Sequence, residues 1–292
     1  MKKNLLLLLS FCFLPLFAAV RLDGTFDWNG KDAKEVCPGI KYFTIALEEP
    51  RLLKAAVVRV DLTTPKLRFK MTPRAKEWGK PMPGFPQHLI RTRRMTCRKF
   101  MEESVKKGEN MVVVVNGTPW SPWQKPWNHP YATNQGLLIA DGVLVAPAYK
   151  KRPGFIVGKD GSFDFASFKD GDDISHIKHA ISGFSTVLSK GKIVARDTDG
   201  LAPRTGYGLS ADRKYLYLFV VDGRQIGYSL GTSTYEVAQF LQYAGASDGL
   251  NMDGGGSTTM FVRNEKEMIK LNHHFRGAER TVGGAMGIII DK

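Results

Sequence analysis

The chain has 292 residues, 43% hydrophobic and 24% charged, with 17 Phe and five Trp available to fill a core. That balance excludes an intrinsically disordered polymer, and the length suits one large domain or two small ones. The formal charge of +14, from 42 basic against 28 acidic residues, favours an anionic partner: nucleic acid, an acidic polymer, a phosphate-bearing substrate or a membrane surface.

The chain starts MKKNLLLLLSFCFLPLFAAV, two lysines followed by an apolar run and small residues. This predicts a secretory signal peptide over residues 1–19, cut after Ala18 or Ala19. The competing reading is an uncleaved anchor, but the run from Leu5 to Phe17 is short for a membrane span and Pro15 lies near its end. The expected product is an exported protein, periplasmic or secreted, with no stable membrane insertion. Loss of Lys2 and Lys3 lowers +14 to about +12. Cys37 and Cys97 then remain; they can pair in an oxidising compartment or persist as two buried thiols, and spacing does not decide.

Residues 21–50 read as an irregular lead-in. KAAVVRVDL (54–62) and KLRFKM (66–71) read as strands joined by a turn at Pro65, and the proline-rich 72–90 as loop. Residues 91–107 predict a basic helix stopped by Gly108, with Met95, Phe100 and Val105 facing the core. MVVVV (111–115) predicts a buried central strand that delivers Asn116-Gly117. Next comes a loop carrying Trp120, Trp123 and Trp127, either packed on itself or a sugar-stacking platform. Hairpins are expected around Asp141-Gly142, Asp160-Gly161, Lys190-Gly191 and Asp212-Arg213. STYEVAQFLQYAGA predicts a helix capped by Ser233 or Thr234, and GGAMGIII a closing strand. Together these predict one α+β domain, with a mixed, mostly antiparallel, hairpin-rich sheet and a few packed helices.

Between the strands DGLNM and STTMFV lies DGGGS, residues 253–257. Three adjacent glycines are entropically unfavourable to order, but they allow close approach and leave amides exposed. Amides beside Ser257 and Thr258 can bind a phosphate or a sugar, and Asp253 can serve as nucleophile, base or metal ligand. A turn whose aspartate caps backbone amides is the plainer possibility. The absence of a following Gly-Lys-Ser excludes a Walker loop, and the following strand excludes a dinucleotide fingerprint. His176 and His179, three apart, can suit a metal, but no carboxylate cluster accompanies them. His273-His274 can edge a pocket.

NMDGGGSTTMFV resembles the signature of the phosphodiester glycosidase family. Further segments resemble that family in its order: VVVNG (113–117), ISGFSTVLSKGKIV, PRTGYGLSADRKYLYLFVVDGR, and GTSTYEVAQFLQYAGASDGLNMDGGGS, which contains Glu236. The likeness covers residues 111–290. One departure stands out: NGTPW replaces the aromatic run that usually follows the asparagine.

The resemblance implies that residues 20–292 form a catalytic domain. The implied reaction is hydrolysis of the glycosidic C–O bond of a sugar-1-phosphodiester, releasing a free sugar and a phosphomonoester. It implies Asp253 as the carboxylate that stabilises or attacks an oxocarbenium-like centre. Asp222 or Glu236 would orient sugar hydroxyls or activate water, and Arg204 and Arg280 would hold the anion. Asn116, Thr205, Asn251, Gly254, Gly255, Gly256, Ser257 and Thr258 would complete the substrate contacts. Plainer roles exist too: a cap or ion pair for Glu236, a structural ion pair for Arg204. No cofactor is implied, although a divalent ion at Asp253 remains an alternative. The expected partner is an anionic, phosphate-linked glycan or sugar-1-phosphodiester. Nucleic acid is not expected, because the chain lacks an aromatic-basic nucleic-acid motif. The competing functions are a metal-dependent phosphodiesterase cleaving P–O, and a noncatalytic glycan-binding protein using the tryptophan loop.

Overall fold

The computed structural model describes residues 20–124, 128–275 and 277–291. The leader expectation for residues 1–19, and Trp127, lie outside them. The fold is mostly β, with 43% strand, 9% helix and five sheets. This corrects the expected α+β class. Two stretches expected to be irregular contribute strands (Lys34–Cys37, Ile40–Leu47, Pro81–Met82 and Phe85–Leu89), and the described residues form only two α-helices. The repeated hairpin signals were the better guide, because they favour sandwich or barrel architectures over helical layers.

An eight-stranded antiparallel sheet runs in the order Lys34–Cys37, Ile40–Leu47, Leu53–Asp61, Tyr215–Val221, Arg204–Leu209, Asp248–Asn251, Ser185–Ser189, Lys192–Ile193. A five-stranded sheet has Met111–Asn116 at its centre, between Met260–Arg263 and Ala285–Ile290, with Leu67–Met71 at one edge. A second five-stranded sheet contains Leu138–Ala140, Ile177–Ser182, Pro153–Gly158 and Phe163–Ser167. These three sheets share one core, to which they contribute Leu218 and Tyr207, Val113 and Ile288, and Phe155 and Ile181 respectively.

Covering both faces of a strand explains why YLYLFVV has no polar alternation. Leu216, Leu218 and Val220 enter the shared core, while Tyr217, Phe219 and Val221 face a second cluster on the outer side. There the helix α2 (Thr234–Ala244) buries Val237, Phe240 and Leu241, each contributing roughly 1.5–3 kcal/mol of apolar burial. Ser233 caps α2 in a full capping box with Glu236, and Gly245 ends it at φ 109°. The helix α1 (Cys97–Lys106) packs Cys97, Phe100 and Met101 on the far face of the sheet that holds Met111–Asn116. It starts later than expected because Thr92–Arg93 pairs as a strand and Met95 bridges Val282, and Val105 faces solvent rather than the core. Cys37 and Cys97 are free thiols.

Candidate active site

The strand Asp248–Asn251 leaves the eight-stranded sheet, and the chain crosses to Met260–Arg263 in the neighbouring sheet. Residues 252–259 form that crossing. Met252 N–H donates to the Thr205 carbonyl (2.9 Å) and Asp253 N–H to the Gly117 carbonyl (2.9 Å), after which Gly255–Ser257 make one 3₁₀ turn. The glycine run therefore joins two sheets.

Asn116 ties the junction. Its amide donates to the Asp253 carbonyl (2.6 Å), and its side-chain oxygen accepts from Thr205 Oγ1 (2.8 Å) and the Thr259 amide (3.0 Å). Tyr207 donates to the Asn116 carbonyl (3.0 Å). Asn116 and Thr205, expected to touch substrate, are thus engaged in holding the segment on which Asp253 sits.

Each glycine has a neighbour that a Cβ would meet. At Gly254 it would lie 2.9 Å from the Pro203 carbonyl oxygen, at Gly255 3.3 Å from Arg224 Nη1, and at Gly256 2.5 Å from Arg280 Nη2. Gly255 also has φ +61°, a conformation that favours glycine. Two guanidinium groups thus lie against this backbone. Gly256→Ala is expected to displace the Arg280 guanidinium and lower kcat/KM about tenfold or more through lost electrostatic positioning. The flexible end of the arginine can yield, so the melting temperature should stay nearly unchanged; steady-state kinetics and a thermal melt read the two effects separately.

Asp253 is buried, with 5% of the residue exposed. Oδ1 accepts from the Gly254 amide (3.1 Å), whereas Oδ2 has no hydrogen-bond partner among the described residues. The Ser257 hydroxyl stands beside the carboxyl and lowers its pKa, yet neither it nor Oδ2 meets hydrogen-bonding geometry. Thr258 Oγ1, Thr118 Oγ1 and Asn251 Oδ1 are likewise buried without partners among the described residues. Buried polar atoms are nearly always paired, so this concentration on adjoining segments marks a place built for a polar ligand. Burial pushes the Asp253 carboxyl up to about 7, against the opposing pull of Ser257, Arg280, the Gly254 amide and Arg152.

Beside Arg280 stands an aromatic stack. Trp120 and Trp123 overlap at 4.5 Å, Arg94 lies 4.2 Å from the Trp120 ring and Arg280 4.9 Å from the Trp123 ring. Trp120 is buried, but Trp123 is 43% exposed and presents a face. A Cβ at Gly283 would collide with Trp120 at 2.7 Å, which accounts for a glycine there.

The other expected residues lie elsewhere or are occupied. Arg204 donates to Asp199 (2.5 Å), the Gly200 carbonyl (3.0 Å) and the Thr232 carbonyl (3.2 Å), the structural ion pair that was its plainer role. Glu236 accepts from Arg51 (2.5 Å), the Ser233 amide (3.0 Å) and the Val20 amide (2.9 Å), which is cap and ion pair together. Asp222 accepts from the His273 amide (2.6 Å) and lines a separate cavity with Lys54, Tyr228 and Lys270. Burial raises its carboxyl to about 6. His274 meets Thr259 Oγ1 at 2.8 Å and so buttresses the segment after the glycines. His176 packs on Phe168, and among the described residues no three metal-ligating side chains cluster. Sequence reasoning missed Arg224, Arg152 and Thr118. Arg224 directly follows the Asp222-Gly223 turn and adopts φ +60°, a conformation no sequence pattern announces for arginine.

Residues 109–289 match the family model described as phosphodiester glycosidase. The fold is similar to the catalytic domain of zebrafish N-acetylglucosamine-1-phosphodiester alpha-N-acetylglucosaminidase, auto-inhibited by its pro-peptide. That likeness has 19% identity and a TM-score of 0.60, and covers 92% of this chain and 86% of that one. A hypothetical protein from Synechocystis is similar at 11% identity and TM-score 0.59, over 87% of this chain and 62% of that one. A Burkholderia pseudomallei K96243 protein, named as a candidate exported protein, is similar at 14% identity and TM-score 0.57, over 82% and 74%. No curated protein sequence is significantly similar to the chain.

Proposed function

The chain belongs to the phosphodiester glycosidase family, and on that premise we propose that it hydrolyses the glycosidic C–O bond of a sugar-1-phosphodiester at Asp253. One observation carries this reading: a buried aspartate with an unpartnered oxygen stands among unpartnered hydroxyls and arginine charges. Arg280 and Arg224, the guanidinium groups that lie against the glycine run, hold the phosphodiester anion. The sugar rests against Trp123, its anomeric carbon toward Asp253 Oδ2. As the C–O bond lengthens, positive charge develops on the sugar ring, and the ionised carboxylate stabilises or captures it. The departing phosphomonoester is already a weak base, so no strong general acid is required. Ser257, Thr258 and Thr118 supply hydrogen bonds to sugar or phosphoryl oxygens.

The reading includes export, supported by the leader-like residues 1–19 and by the Burkholderia neighbour's name. Among the described residues no helix is long and apolar enough to cross a membrane.

A panel of sugar-1-phosphodiesters, assayed with and without chelator and followed by phosphorus NMR, tests the activity. Release of a phosphomonoester and free sugar, undiminished by chelator, is the expected result. Turnover abolished by chelator and restored by a divalent ion supports the metal-dependent phosphodiesterase instead.

A further inference from the structure

A cavity of about 400 Å³ opens beside the edge strand Leu67–Met71, where it meets Val157 and Gly158 of one neighbouring strand and Lys178 and His179 of another. Leu67, Phe69, Val157 and Phe163 give it an apolar floor. None of the residues assigned to the phosphodiester site lines it. From Arg152, whose charge acts on Asp253, the strand Pro153–Gly158 runs five residues to Val157, which places the cavity about 17 Å away along an extended chain.

His179 is 5% exposed and lines this cavity. Its Nδ1 accepts the Asp141 backbone N–H at 3.1 Å. A ring whose Nδ1 accepts carries its proton on Nε2, so Nε2–H is a donor, and it has no partner among the described residues. Burial brings the imidazole down to about 4, so the ring is a neutral donor at neutral pH. Around the opening, Lys70 is paired with Glu109 and Arg68 with Asp291. Lys159 and Lys178 also line the cavity, and neither makes an ion pair among the described residues. Asp141 is the one acid at the opening without an ion pair among the described residues, which leaves an excess of one positive charge.

We propose that this cavity binds an amphiphilic organic anion, its apolar body against Phe69 and Phe163 and its anionic head on Lys159, Lys178 and His179 Nε2–H. The volume falls in the range of small-molecule pockets, and an apolar lining with a few convergent polar groups is their usual make-up. The site is independent of the phosphodiester chemistry at Asp253.

Isothermal titration of the protein with sodium decanoate, and with decanol as the uncharged control, tests the proposal. Saturable one-to-one binding of decanoate, with decanol at least tenfold weaker, is expected. Lys159→Glu with Lys178→Glu should weaken decanoate tenfold or more. Both lysines are exposed, so the melting temperature should hold. His179→Phe, which removes the donor while keeping an apolar ring, should weaken decanoate more than decanol. Equal affinity for decanoate and decanol, an unchanged decanoate affinity in the double variant, or no saturable binding would each overturn the proposal.

Discussion

Asp253→Asn is expected to lower kcat by about 10³-fold or more, because it removes the charge that stabilises or captures the sugar cation. The same substitution should stabilise the protein at pH 8. The ordinary carboxyl value is 3.8, and burial raises it to about 7 in the folded state. The folded protein therefore favours the protonated form. No penalty exists below about pH 4; it grows as the pH rises and reaches at most about 4 kcal/mol above pH 7. Asparagine is neutral throughout, so its advantage should appear at pH 8 and vanish at pH 4. Denaturant melts at the two pH values check this, and wild-type kcat/KM should fall below about pH 7 as the carboxyl protonates. A variant with wild-type turnover would remove Asp253 from the chemistry. A binder without catalysis would instead keep its ligand affinity and show no turnover in either form.

The second large effect concerns stability alone. Glu236 and Arg51 form a buried ion pair, with side chains 2% and 4% exposed. Arg51 also donates to the Gly231 carbonyl (3.1 Å), so the pair anchors the start of α2 to the loop before it. Glu236→Ala leaves the Arg51 charge in a dry site and removes both the capping acceptor and the partner of the Val20 amide. Removing one partner of a buried pair destabilises by about 3–5 kcal/mol, which for a chain of this size lowers the melting temperature by roughly 10 °C. Adding Arg51→Met to that variant should recover part of the loss, because an apolar side chain needs no counter-charge. Calorimetry of the single and double variants provides the comparison. A single variant as stable as wild type would show that the pair contributes little.

The close packing against the glycine run was legible in the sequence because its cause is local. Three consecutive glycines require something close to the backbone, and Pro203, Arg224 and Arg280 lie close to it. Hairpins were legible for the same reason: Asp141-Gly142 and Lys190-Gly191 adopt positive φ at both turn residues, as two-residue turns of their type demand. Roles that depend on distant partners were not legible. Nothing in the spacing places Arg51 against Glu236, 185 residues apart, or Asn116 against Asp253, 137 residues apart. Asp222 and Glu236 carry the right chemistry for catalysis, yet the fold assigns one to a separate cavity and the other to a helix cap. The class was misread for a related reason. The patterns around 91–107 and 233–246 do form helices, but helices on outer faces say little about the sheets that make the core.

Hydrolysis in oxygen-18 water addresses the central reading most directly. Attack at the anomeric carbon puts the label into the released sugar and leaves the phosphomonoester unlabelled, as expected if Asp253 faces that carbon. Label in the phosphate instead would mean that the P–O bond breaks, and Asp253 could not then be the carboxylate that stabilises or captures a sugar cation.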